Sequence, residues 1–149
     1  MMQRIAEVMT RDVRSVTPQE TIRRAAEMMD ELNVGALPVC DGERLVGMIT
    51  DRDITVRAVA AGVPPDTAQV GEVMSVQVRW CFEDQPVDEV MQQMADTQIR
   101  RVPVVDQNTH SLIGIVSLGD LATKHSAQVD RTLEGISSPS EPDRSRLAH

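Results

Sequence analysis

Aromatic side chains are almost missing from this chain: Trp80 and Phe82 are the whole set among 149 residues, with no tyrosine. A groove for single-stranded nucleic acid needs stacking rings in number, so that class is excluded, and any core must be built from aliphatic residues and methionine. Two cysteines, Cys40 and Cys81, are too few for a disulfide framework. Each lies in an apolar, strand-like run and reads as a reduced core thiol, with a redox pair as the alternative. No apolar run approaches the roughly 20 residues that cross a bilayer. The opening MMQRIAEVMTRD carries no apolar signal segment, so a cytoplasmic protein is expected. Basic residues are outnumbered, 15 against 23 acidic, for a net charge of −8; nucleic acid and membrane surfaces, which need a basic footprint, are not expected partners.

Several catalytic and cofactor motifs are also absent. Neither G-x-G-x-x-G nor G-x-x-x-x-G-K-[ST] occurs, so no Rossmann frame or P-loop is indicated. His110, His125 and His149 stand apart and there is no C-x-x-C, so no metal site is expected. No G-x-S-x-G elbow appears. An enzyme is not expected, and no catalytic residue is assigned.

What the chain does have is a repeat, the feature to read before any other. Met9-Thr10 returns as Met74-Ser75, Val13-Arg14 as Val78-Arg79, and Leu37-Pro38-Val39 as Val102-Pro103-Val104, each 65 residues later. Gly47-Met48-Ile49-Thr50-x-x-Asp53 returns as Gly114-Ile115-Val116-Ser117-x-x-Asp120, 67 residues later. The two extra residues fall in Gln107-Asn108-Thr109-His110, where a surface turn absorbs them at little cost. Half of such a chain is marginal as an independent domain, so the halves are expected to share a core as one pseudo-symmetric module. The organisation is 1–66 for the first repeat with an N-terminal arm and 67–127 for the second. Residues 128–149 are expected to form a C-terminal extension, a helix continuation on Val129, Leu133 and Ile136 followed by a tail of disordered composition.

Local signals place the elements. Thr17-Pro18-Gln19-Glu20 predicts a helix start, with Thr17 as N-cap and Glu20 at the third position. Ile22, Ala25, Ala26, Met29 and Leu32 follow at helical spacing, and Asn33 closes the helix. Leu37 to Cys40 reads as a strand that Pro38 pushes toward its start or an edge. Asp41-Gly42 signals a hairpin, Leu45 to Ile49 returns, and Thr50 opens a helix from Asp51 to about Ala61, stopped by Gly62. In the second copy Val78 to Phe82 is extended and Val87 to Ala95 is helical. Asp84 is the expected cap, because Phe82 stands where Thr17 stood. Arg101 to Val105 and Leu112 to Val116 form the second hairpin. Strands with helices on one side imply an α/β or α+β sandwich.

The doubled strand-to-helix corner, Thr50-x-x-Asp53 and Ser117-x-x-Asp120, is the candidate site. A hydroxyl followed three residues later by an acid is also a helix-capping box worth about 1 kcal/mol, and capping and binding are compatible. A helix start offers unpaired N–H groups that suit phosphate, and Thr50 or Ser117 adds a hydroxyl. Asp53 and Asp120 repel phosphate but accept from both hydroxyls of a ribose, each charge-assisted bond netting about 1.5–3 kcal/mol. Sugar and phosphate together describe a nucleotide, whose base would meet a slot of Val34, Leu37, Ile99 and Val102 with nearby backbone groups.

With its M-[TS] pairs, its apolar-Pro-Val strands and its two G-apolar-apolar-[ST]-x-x-D corners, the chain resembles a tandem cystathionine-β-synthase (CBS) domain protein, the Bateman module, of the small stand-alone bacterial type. The resemblance spans about residues 8–124. It implies two pseudo-twofold-related β-α-β-β-α repeats packed sheet to sheet, a homodimer, and an adenine nucleotide (AMP, ADP, ATP, NAD or S-adenosylmethionine) as regulatory ligand between the repeats, with no catalytic cofactor. It places the ribose on Asp53 and Asp120, the hydroxyl contacts on Thr50 and Ser117, and the base against the segments holding Val34, Ala36, Leu37 and Pro38, and Ile99, Arg100, Arg101, Val102 and Pro103. Arg52 and Arg101 are the candidate phosphate contacts. Gly35-Ala36 becomes Arg100-Arg101 and Arg52 becomes Gly119 in the second copy, so the corners are expected to differ in ligand or affinity. A ligand-sensing module signalling to an unknown client protein is the leading expectation; a purely structural dimerisation module is the alternative.

Overall fold

The computed structural model describes residues 3–97, 100–119 and 121. The expected extension and tail, 128–149, lie outside the described residues. The order of elements is α1 (Ile22–Leu32), β1 (Ala36–Asp41), β2 (Arg44–Thr50), α2 (Asp51–Asp53, continued by a π-helix over Ile54–Val59), α3 (Val70–Val73), β3 (Cys81–Phe82), α4 (Val87–Thr97), β4 (Arg101–Val105) and β5 (Leu112–Ser117), preceded by a 3₁₀ turn at Ile5–Glu7. The fold is mixed α+β.

The chain divides into two compact units, and their borders are not those of the copies. One unit runs Arg14–Val78; the other joins Met1–Val13 to the segment that begins at Arg79. The lead-in of each copy has gone to the other copy's body. Val70 and Gly71 N–H donate to the carbonyls of Glu20 and Pro18 (2.8 and 2.9 Å), and Ile22 N–H donates to Ala68 (3.0 Å). Ile5 and Ala6, 65 residues earlier, donate to Gln85 and Glu83 (3.0 and 2.9 Å), and Val87 donates to Gln3 (2.8 Å). The same exchange closes the strands. Met48 in β2 pairs with Ser75, and Ile115 in β5 pairs with Thr10.

The exchange determines the cores. One apolar cluster gathers Val16, Ile22, Ala25, Met29, Leu37, Val39 and Ile49 with Val70 and Val73 of the second copy's lead-in. The other gathers Val87, Val90, Met94, Val102, Val104 and Val116 with Ile5, Val8 and Met9 of the first. Each unit holds one of these clusters, completed by a borrowed turn of helix. A half too small to bury enough surface gains that turn.

The α1 start differs from expectation. Thr17 and Glu20 do bond each other, Thr17 N–H to Glu20 Oε2 at 2.7 Å, but they close a turn rather than a helix. The carbonyls of Pro18 and Glu20 accept from Gly71 and Val70, which takes them out of a helical ladder. The N-cap is Thr21, whose side chain accepts from Arg24 N–H, and Asn33 ends α1 in the left-handed region at φ 56°. Before α4 the matching turn is closed by Gln85, which accepts from Phe82 N–H at 2.8 Å, in place of the expected Asp84 cap. The proline expectation holds for Pro38, the third residue of β1 in the two-stranded sheet β1-β2, but its counterpart differs. β4, with Pro103, is the middle strand of β3-β4-β5. In the first copy Pro38 O accepts from Val16 N–H (3.0 Å). N–H and C=O of one strand residue point the same way, so the donor that proline lacks would fall just ahead of where that pairing begins. No ladder bond is lost.

β1 and β2 turn through Gly42, at φ 65°, with Asp41 opposite Arg44. The β4–β5 turn is longer, as the offset change required. Asp106 Oδ1 accepts from Asn108 and Thr109 N–H at 2.8 and 3.0 Å.

Both cysteines are buried and neither is in a disulfide. Burial pushes the Cys81 thiol up to about 12 and raises Cys40 as well. In the unfolded chain a thiol ionises near ~8.5, so the stabilising effect is complete below that pH. It is lost as pH rises toward 12, where the unfolded state sheds the proton and the folded state keeps it. The chain has no tyrosine and a single lysine, Lys124, so few other groups titrate there. Denaturant unfolding between about pH 8 and 10 should show stability falling by up to about 1.4 kcal/mol per pH unit for Cys81, and Cys81→Ala should flatten that slope. An unchanged slope in the variant would show that Cys81 is not shielded as described.

Candidate functional site

β2 runs straight into the first corner. Thr50 keeps extended backbone (φ −117°, ψ 163°) and caps the helix that follows. Its Oγ1 accepts from Asp53 N–H at 3.0 Å, and Asp53 Oδ2 accepts from Thr50 N–H at 3.0 Å. The capping box is complete. Asp51 N–H donates to Gly35 O at 2.9 Å, and Arg52 N–H to Asp51 Oδ1 at 2.8 Å. The three leading N–H groups therefore already have acceptors within the chain. This corrects the expectation that the helix start holds unpaired donors for a phosphate: a carbonyl, a hydroxyl and a carboxylate of the chain itself have taken them.

Asp53 is 8% exposed, the one buried charged side chain among the described residues. Its second oxygen, Oδ1, accepts from Ser75 Oγ at 3.4 Å and lies 3.9 Å from Arg57 Nε. Arg57 Nη1 in turn donates to the carbonyls of Val73 and Met74, both at 3.4 Å. Arg57 sits in the π-helical stretch, where Ala60 N–H reaches back five residues to Thr55 O (2.9 Å). Such wide turns are rare and recur at functional sites. Neither Arg57 nor Ser75 was among the expected site residues. The signals were present: Arg57 stands four positions after Asp53 on a helix, and Ser75 belongs to the repeated M-[TS] pair.

The remaining expected residues separate by depth. Leu37 and Val102 are 2% and 4% exposed and belong to the two core clusters. Pro38 and Pro103 are buried beside them, Ala36 is half-buried, and Arg101 is exposed. Arg52 lies at the surface with its backbone N–H turned to Asp51. Val34 is half-buried on the wall of a cleft of about 230 Å³, together with Ala26, Met29 and Asp30 of α1 and Ile54 and Thr55. Asp51 also lines this cleft, but Thr50 and Asp53 do not. Its volume is below the roughly 300–1,000 Å³ of a typical ligand site.

At the second corner Ser117 ends β5, and Leu118 N–H donates to Arg100 O at 3.1 Å, as Asp51 does to Gly35. Arg100 is half-buried. Ile99 and Asp120 lie outside the described residues. Among the described residues no group of three His, Cys, Asp or Glu side chains is placed to hold a metal ion, and no helix is long and apolar enough to cross a membrane.

Two copies of one α+β unit, each ending a hairpin in a hydroxyl-x-x-acid motif, define a duplicated module. The family model for the CBS domain matches residues 5–59 and again 70–126, and the chain belongs to the CBS domain family as a CBS pair. It is 46% identical over 121 residues to the CBS domain-containing protein YhcV of Bacillus subtilis, covering 81% of this chain and 84% of that one. Among solved structures it is similar to Hypoxic Response Protein I with two coordinated zinc ions (38% identity, TM-score 0.74, 82% of this chain and 98% of that). It is also similar to the CBS domain pair of protein MJ0100 in complex with 5′-methylthioadenosine and S-adenosyl-L-methionine (28% identity, TM-score 0.73, 86% and 99%).

Proposed function

We propose that this chain is a ligand-sensing regulatory module that binds an adenine-containing ligand at its two strand-to-helix corners and signals the occupancy to a client protein. The observation that carries the reading is Asp53: a carboxylate withdrawn from water at the end of a hairpin, repeated in sequence as Asp120. Burying a charge is costly unless partners compensate it; Oδ2 has a close one in Thr50 N–H at 3.0 Å, while Oδ1 has only the longer contacts to Ser75 and Arg57 (3.4 and 3.9 Å), which a ribose hydroxyl would supplement. The adenosine-type ligands in the complex of the CBS pair of MJ0100 support the same class. In this reading Asp53 and Asp120 take the ribose, and Thr50 and Ser117 add their hydroxyls. The segments holding Val34, Ala36, Leu37 and Pro38, and Ile99, Arg100, Val102 and Pro103, meet the base, the buried Leu37 and Val102 through their backbone. With the N–H groups of the first corner already paired, a phosphate there falls to side-chain cations such as Arg52, with Arg101 at the second. The chain acts without catalysis, as a homodimer, and its output is a shift between shapes set by the ligand's differential affinity for them.

Calorimetry with AMP, ATP, NAD and S-adenosylmethionine tests this. Wild type is expected to bind at least one, and Asp53→Ala/Asp120→Ala to lose that binding. Unchanged binding in the double variant would remove the acids from the site.

The complete capping box favours a second reading, in which the corners only finish helix ends and the module is structural. The two readings differ in a melting experiment. A ligand at about 100 times its dissociation constant adds about 2.7 kcal/mol to stability, whereas a structural module melts unchanged with every nucleotide.

A further inference from the structure

The M-[TS] pairs have no part in the site as proposed above, yet one of them touches it. Ser75 belongs to the second copy, and its hydroxyl donates to Oδ1 of Asp53 in the first (3.4 Å). The same short segment offers the carbonyls of Val73 and Met74 to Arg57 (3.4 Å each), whose Nε faces that same oxygen at 3.9 Å. The segment cannot drift away. Ser75 and Met48 exchange both backbone bonds, at 2.8 and 3.0 Å, and Gly47 leaves no space between the two backbones.

We infer that Ser75 and Arg57 are positioning residues for Asp53, so that the first corner is assembled from both copies. Oδ2 is committed to Thr50 N–H, which leaves Oδ1 as the oxygen a ligand would approach. Ser75 and Arg57 set where that oxygen points and offset its charge. A hydroxyl is required at position 75, and the first copy shows which alternative fits, because Thr10 occupies the matching position against Ile115. A ribose hydroxyl that bonds Oδ1 shares it with Ser75 and Arg57, because a carboxylate oxygen accepts more than one hydrogen bond. Ligand capture would then be felt at residues 73–75, just before the chain leaves this unit at Val78. The effect on ligand rests on the adenine-binding reading above; the hold on Asp53 does not.

Two measurements test it. In an Asp120→Ala background, which isolates the first corner, AMP and S-adenosylmethionine are titrated into the protein with Ser75 intact and into its Ser75→Ala and Ser75→Thr variants. Ser75→Ala should weaken binding about tenfold, as loss of a hydrogen bond to a charged group does. Ser75→Thr should restore it, which a merely structural role of the side chain would not require. Arg57→Gln should weaken binding in the same direction. Without any ligand, a double-mutant cycle of Ser75→Ala with Asp53→Asn is read by denaturant unfolding. The two changes in unfolding constant should fall short of multiplying by about threefold, because the residues interact. Independent effects in the cycle overturn the inference, as does full affinity in Ser75→Ala. Coupling in a wild type that binds no adenine ligand refutes the binding reading and supports the hold of Ser75 on Asp53.

Discussion

Replacing Gly47 or Gly114 by alanine is expected to lower the thermal unfolding midpoint by several degrees, while the same change at Gly119 leaves it unchanged or raises it. A methyl carbon on Gly47 would stand 2.7 Å from Ser75 O and 3.1 Å from Met74 Sδ; on Gly114 it would stand 2.7 Å from Met9 Sδ and 2.8 Å from Thr10 O. A thioether can swing aside, but the carbonyls cannot. Ser75 O is held by Met48 N–H at 3.0 Å, and Thr10 O by Ile115 N–H at 2.9 Å. Overpacking against fixed atoms costs about 1–3 kcal/mol. For a chain of this size each kcal/mol moves the midpoint by about 2–4 °C. At Gly119 the nearest atom is Ser117 Oγ, at an ordinary 3.5 Å, and alanine is the better helix former by about 1 kcal/mol. Melting curves of the three variants decide the matter. A Gly47→Ala protein as stable as wild type would mean that the 74–75 segment does not lie against β2.

Leu37→Ala is expected to cost about 2–5 kcal/mol, a large share of the roughly 5–15 kcal/mol typical of a domain. Val34→Ala should cost about 1 kcal/mol or less, because Val34 is half-buried and borders an open cleft, so part of its surface is never removed from water. Both positions belong to the proposed base-binding segment, but Leu37 is 2% exposed within an apolar cluster. Urea unfolding of the two variants, paired with AMP titration, separates packing from recognition. Leu37→Ala should lose stability and keep most of its affinity per folded molecule, with the reverse for Val34→Ala. Equal stability losses at the two positions would contradict the burial described.

Much of the corner was legible because its bonds are local. Thr50 and Asp53 are three residues apart, and a hydroxyl at that distance from an acid at a strand end closes a capping box whatever else surrounds it. The hairpins were legible for the same reason: Gly42 and the Asp106–Ser111 turn bond to themselves. The π-helical winding after Asp53 was not, because an apolar stripe with no breaker reads as an ordinary α-helix. The Thr17 start failed because the carbonyls of Pro18 and Glu20 found partners in Gly71 and Val70, far along the chain. Proximity in sequence points to Arg52 rather than Arg57, but it is Arg57 whose Nε stands 3.9 Å from Asp53 Oδ1.

Taken by itself, the sequence determined that the chain is double, where each copy turns, and which side chains end each hairpin, since all of these follow from neighbours a few residues apart. Only the tertiary structure decided which lead-in serves which body. The copies are so alike that Met9-Thr10 and Met74-Ser75 suit either hairpin equally well in local terms. The choice was made by the path of the chain through space, and it brought the hydroxyl of one copy against the buried acid of the other.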